Sequence, residues 1–173
     1  IEDLLKQSLI LAEESGNKKV LGRILMQNGS IISTRYLHLK SEYLRGRLQT
    51  KLWLAFDIFK HPFFEGLFIL SRKHAKKLKT LIETFTKYFM DAAKIFETLN
   101  DPTEGYAYHN FANSLKSAYL FKKARLYCEK AQQIAEKYDD QLLKRKAYDL
   151  EKGINARNKD IPDYVNGERR KNK

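Results

Sequence analysis

The side chains able to do acid–base, nucleophilic or metal chemistry in this sequence are four histidines, one cysteine and 21 carboxylates. His38, His61, His74 and His109 are scattered, and none pairs with Cys, Asp or another His at a metal-ligand spacing. His38 and His74 also sit among basic residues. The carboxylates are dispersed, often beside Lys, and read as surface pairs. No glycine-rich phosphate loop and no Gly-Lys-Ser/Thr string is present. The expectation is a non-enzymatic chain with no cofactor and no metal. The single Cys128 rules out an internal disulfide framework and fits a reducing compartment, so a cytoplasmic location is expected.

A chain of 173 residues can bury a sizeable core. Glycine and proline are sparse, at 8 and 3, while Leu, Ile, Ala, Lys and Glu dominate. That mixture favours helix, because straight side chains lose little rotamer freedom there. The ten Tyr, ten Phe and Trp53 supply core material. The N-terminus, Ile1-Glu2-Asp3, does not read as a signal peptide. The most apolar stretch, Leu52 to Leu70, contains Asp57, Lys60, His61, Pro62 and Glu65, which argues against a membrane span. Without a secretory signal, Asn28-Gly29-Ser30 reads as an idle sequon. The net charge of +12 attracts nucleic acid, anionic membrane or acidic protein, but it also solvates exposed helix faces.

One short pattern occurs four times: Ser8 to Glu13, Ala55 to Lys60, Ala92 to Glu97 and Ala131 to Glu136. Each copy is a small residue, two variable residues, Ile or Leu, an apolar residue and a charge. Each is followed by a breaker: Ser15-Gly16-Asn17, His61-Pro62, Asn100-Asp101-Pro102 and Asp139-Asp140. Self-similarity at this period predicts helical repeats, whose units cannot bury their apolar faces alone and therefore stack.

The elements follow from the breakers. Residues 1–15 predict an amphipathic helix with Leu4, Leu5, Ser8, Leu11 and Ala12 on one face. By the repeat pattern this is the second helix of a unit. Such an orphan half would expose an apolar stripe, so the sequence reads as part of a longer protein or as covered by another element. Asn17 can cap the next helix. From there to Lys60 the sequence allows either one long helix or a break near Ser33-Thr34 or Ser41. Residues 62–99 leave the same choice open. Lys73, Lys76, Lys77 and Lys79 read as a solvated basic face. Thr103 or Asp101 can cap a helix from about 104 to 118, followed by helices from about 121 to 138 and 140 to 157. A repeat domain over 1–158 and an irregular basic tail over 159–173 are expected.

The clearest repeat is 104–138. Tyr108, Phe111, Ala112 and Leu115, then Phe121, Ala124, Cys128 and Ala131, stand at the spacing of a tetratricopeptide repeat (TPR), which this segment resembles. Small residues at Ala112, Ala124 and Ala131 permit close helix approach, and larger ones fill the gaps. Gly29 fits the close-approach position of an earlier unit and Ala147 that of a later one. Residues 62–90 depart from the pattern: Phe85 stands where Ala124 stands, and Lys73 in the place of Ala112. Residues 108–115 are also similar to the C-terminal repeats of signal-transducing regulatory ATPases. The resemblance implies an all-α fold of TPR-like antiparallel helical hairpins (an α-solenoid), with an elongated or irregular central hairpin.

In the resembling family the first helix of each unit lines a groove. The resemblance places Tyr106, His109, Asn110, Asn113, Lys116 and Ser117 there, with Lys144 and Arg145 at comparable places on the next helix. Asn can grip an extended peptide backbone, and Lys or Arg can hold a carboxylate. The preceding unit supplies Met26, Gln27 and Ser30 instead of Lys and Asn, so this is half of the family's carboxylate-binding arrangement. The expected function is a protein-interaction or regulatory scaffold module whose partner is a protein or acidic peptide. Alternatives are an RNA- or DNA-binding array using the basic surface, and a membrane-surface or self-associating hairpin. The last would use Trp53, Phe56, Phe59, Phe63, Phe64 and Phe68.

Overall fold

The structure, a computed structural model, describes residues 2–55 and 63–159. The described residues are helical and contain no strand, so the chain is all-α. The helices are α1 (Glu2–Glu14), α2 (Lys18–Ala55), α3 (Phe63–Thr98), α4 (Thr103–Ser117), α5 (Phe121–Lys137) and α6 (Gln141–Lys159). None of them is long and apolar enough to cross a membrane. Two compact units divide the chain within α3, at residues 1–91 and 92–173.

In the first unit, α2 is one helix of 38 residues, about 57 Å long. Neither Ser33-Thr34 nor Ser41 breaks it. The hydroxyls turn back into the helix instead: Thr34 Oγ1 donates to the Ser30 carbonyl at 3.0 Å and Ser41 Oγ to the His38 carbonyl at 2.7 Å. α3 is likewise unbroken over 36 residues. The two helices run antiparallel, as three contacts along their length record. Phe89 lies on Gly29, Tyr36 meets Phe85 edge to face at 6.2 Å, and Tyr43 stacks on His74 at 6.1 Å. A Cβ on Gly29 would stand 3.1 Å from three atoms of the Phe89 ring. The departure at Phe85 has a physical reason: buried Phe85 and Phe89 fill with rings the space that small residues leave closed in the clearest repeat. Lys73, Lys76, Lys77 and Lys79 are exposed, and Lys79 pairs with Glu83 one turn on. The pattern copy at 55–60, the His61-Pro62 breaker, the aromatics from Trp53 to Phe68 and the tail beyond Lys159 lie outside the described side chains.

In the second unit, α4 and α5 are antiparallel, and α6 returns alongside α4 in the same direction. Tyr127 of α5 packs on Phe111 of α4 at 4.5 Å, and Cys128 of α5 donates to the Ala147 carbonyl of α6 at 3.2 Å. Gly105 of α4 approaches Leu143 of α6. Ala112, Ala124, Ala131, Ala135 and Ala147 are fully buried at these contacts. Their small side chains let the helix axes close up, while Phe111, Leu115, Leu143 and Ile154 fill the core.

The pattern copies share one local geometry where they are described. Eight residues after Ser8, Ala92 and Ala131, the backbone turns left-handed at Gly16, Asn100 and Asp139, with φ of 64°, 51° and 52°. Glycine, Asn and Asp carry this conformation at the least steric cost. The next residue, Asn17, Asp101 or Asp140, caps the following helix. Asn17 Oδ1 accepts from Lys19 and Val20 N–H, Asp101 Oδ1 from Thr103 N–H, and Asp140 Oδ1 from Leu143 N–H. Asp101 and Asp140 also donate their own N–H groups to Phe96 and Ala135, closing the helix behind them. Tyr119, at φ 64°, makes the same backbone turn between α4 and α5, but Leu120 after it has no capping side chain.

Candidate functional site

The outward face of α4 is set by what α4 buries. Tyr108, Phe111, Ala112 and Leu115 point into the core, so Tyr106, Asn110, Asn113 and Ser117 fall on the opposite side of a 3.6-residue turn. His109 and Lys116 lie between these two faces, on the side toward α6. Asn113 is exposed, and Tyr106, His109, Asn110, Lys116 and Ser117 are half-buried.

Tyr106 faces the start of α6, where burial, chiefly, and the Asp140 carboxylate push its phenol up from its ordinary value. The Lys146 ammonium stands 5.4 Å from the centre of the Tyr106 ring, a cation–π arrangement. His109 Nδ1 lies 3.3 Å from the Asn110 carboxamide oxygen. Burial pushes the imidazole below 6.5 and the Lys146 and Lys116 charges push the same way, outweighing the hydrogen bond to Asn110, which acts in the opposite direction. Ser117 Oγ donates to the Asn113 carbonyl, and Ser114 Oγ to that of Asn110. The Asn110 and Asn113 main chains are thus held while their side chains stay on the outward face.

The two α6 cations named from the sequence are placed elsewhere. Lys144 Nζ binds Asp139 Oδ1 at 2.6 Å, in the turn before α6. Arg145 is exposed, midway between buried Leu143 and Ala147 and therefore on the far side of the helix. The α6 cation set against α4 is Lys146. Gly153 lies further along the same seam, where a Cβ would stand 3.6 Å from Lys116 Nζ. The face thus combines one exposed carboxamide, an aromatic ring, a neutral imidazole and the ammonium groups of Lys116 and Lys146. It can accept and donate hydrogen bonds to a peptide and attract a carboxylate.

No protein-family model, curated protein or solved structure matches this chain. The chemistry of the face therefore carries the functional reading.

Two further groups belong to the interior. Glu104 is buried at the start of α4, where desolvation and Glu97 raise its carboxyl and Lys137 and Lys130 oppose them. The Cys128 thiol is buried and pushed up to about 11, chiefly by desolvation, so it remains protonated and weakly nucleophilic. Sequence reasoning did not single out Lys146 or Gly105, and marked Asp140 only as part of a breaker. The signal for Lys146 was its phase: three residues after Leu143, it lies on the α6 flank that faces α4, whereas Lys144 and Arg145 do not.

Proposed function

We propose that this chain is a non-enzymatic protein-interaction module of TPR-like helical hairpins, a regulatory segment that binds an extended, acidic peptide on the outward face of α4. The observation that carries this reading is the grouping of exposed Asn113 with Tyr106, Lys116 and Lys146 on neighbouring, codirectional helices. The Asn113 carboxamide would bond the peptide backbone. Lys146 and Lys116 would attract a carboxylate, and the Tyr106 ring would offer a flat apolar contact. The repeated turn at Gly16, Asn100 and Asp139 supports the repeat reading.

The test starts with capture of the partner by the full-length protein, followed by calorimetry with the bound segment. Asn113→Ala and Lys146→Ala should each weaken binding by about 1 kcal/mol, the scale of a partly exposed polar contact. Arg145→Ala and Lys77→Ala should leave it unchanged. Intact affinity in folded Asn113→Ala and Lys146→Ala variants would reject this face. Submicromolar, sequence-selective RNA binding at about 0.15 M salt would favour the nucleic-acid reading instead.

A further inference from the structure

The seam between α4 and α6 keeps one step along its length. Gly105 meets Leu143 near the start of the two helices, and Lys116 Nζ comes to the place of Gly153 near their end. The partner on α6 thus lies 37 or 38 residues further on at both contacts. The same step sets His109 level with Lys146, whose charge acts on the ring. Gly105, His109 and Lys116 follow one another at intervals of four and seven residues, which hold one side of a helix. Exposed Asn113 lies one turn after His109 and one turn before Lys116. An anion bonded to Asn113 between Lys116 and Lys146 would therefore stand beside the imidazole.

The groups around His109 all bear on its charge. Burial disfavours the imidazolium first, and the ammonium groups of Lys146 on α6 and Lys116 on α4 add to this. The Asn110 carboxamide oxygen, 3.3 Å from Nδ1, favours it. On the same flank α6 carries exposed Asp149 one turn beyond Lys146, and Asp140 stands at its start by Tyr106. The charges acting on the ring are nonetheless those of the two lysines. The charged groups of α5 and of the end of α3, namely Lys130, Lys137 and Glu97, act on Glu104 instead.

Occupancy of the face reverses this balance. With the face empty, a proton on His109 sets a third cation beside two others. A carboxylate bound between Lys116 and Lys146 offsets their charges and attracts the third. We infer that His109 couples the α4 face to protons: an acidic segment binds there together with a proton taken from solvent onto the imidazole, and so binds more tightly in mild acid. This regulation rests on the peptide-binding reading of the same face. The ring that weakens the empty fold in acid strengthens the loaded one, because linkage between proton and ligand runs both ways.

The probe is hexa-aspartate, acetylated and amidated, whose carboxylates stay largely ionised above about pH 5.5. It is titrated into the full chain, labelled with ¹⁵N and with ¹³C at histidine Cε1, at about 0.02 M salt. Binding is read at the Asn113 amide, and protonation at the His109 ring signal, assigned by its loss in His109→Gln. With saturating peptide the His109 midpoint should rise toward the ordinary value of about 6.5. Affinity read at Asn113 should increase about three- to tenfold from about pH 7.5 to about pH 5.5, one unit of pKa being worth a factor of ten. His109→Gln should lose most of this ratio, whereas His38→Gln should retain it. A His109 midpoint unmoved by bound peptide, or a ratio that survives in His109→Gln, would overturn the inference and leave the face standing. No Asn113 shift at either pH would overturn both.

Discussion

The Asp140 carboxylate stands at the junction of two helices: its Oδ1 accepts the Leu143 N–H of α6 at 2.9 Å, and its charge helps raise the Tyr106 phenol of α4 from its ordinary value. Asp140→Ala removes the cap of α6 and should lower unfolding stability by about 1–2 kcal/mol in urea unfolding. Asp140→Asn keeps a capping oxygen and should cost less. An unchanged urea midpoint in Asp140→Ala would contradict the cap.

Gly105→Ala should destabilise the second unit despite the better helix propensity of Ala. The added methyl would stand 2.4 Å from Leu143 Cδ2 and 2.9 Å from Ile134 Cγ2. Leu143 is fully buried and cannot swing into solvent. Overpacking of this kind costs about 1–3 kcal/mol, against a propensity gain of up to about 1 kcal/mol. Combining it with Leu143→Ala should cost measurably less than the two single changes added together. A thermal midpoint in Gly105→Ala equal to or above that of the parent would refute the close approach.

His109 should make the fold sensitive to mild acid. Its folded pKa lies below the ordinary 6.5 because burial, Lys146 and Lys116 disfavour the imidazolium. The unfolded chain therefore binds the proton first. The stabilisation is complete above about pH 6.5 and is lost as pH falls from there through the folded pKa. His109→Gln should flatten the loss of stability between about pH 6.5 and 5, measured by urea midpoints, whereas Lys77→Ala should retain it. An unchanged slope in His109→Gln would exclude this origin.

Much of the fold was legible because the relevant signals are local. Asn17, Asp101 and Asp140 stand directly before helical runs, and a short polar side chain in that position is itself the cap. Ala112, Ala124 and Ala131 stood out by spacing and are all fully buried. The lengths of α2 and α3 were not legible. Ser33, Thr34 and Ser41 resemble breakers by type, but whether a hydroxyl bonds its own helix or opens a turn depends on its surroundings. The structure sets Tyr106, Asn110, Asn113 and Ser117 on one face of α4, with the α6 cation nearest them one or two positions from those named in the sequence. Proximity in sequence suggested Lys144 and Arg145. The side-by-side contact of α4 and α6, which depends on Gly105 meeting Leu143, brings Lys146 there instead.

Asp101 and Asp140 each end one helix and begin the next, so their turns contain no spare residue. These junctions act as phase locks. One residue inserted after Asp101 would advance α4 by about 100° about its axis. Asn110 would then occupy the core place of Phe111, and Ser114 that of Leu115. The chain therefore tolerates changes of side chain at these junctions far better than changes of length. Insertions and deletions that preserve the second unit must fall outside the 100–101 and 139–140 steps.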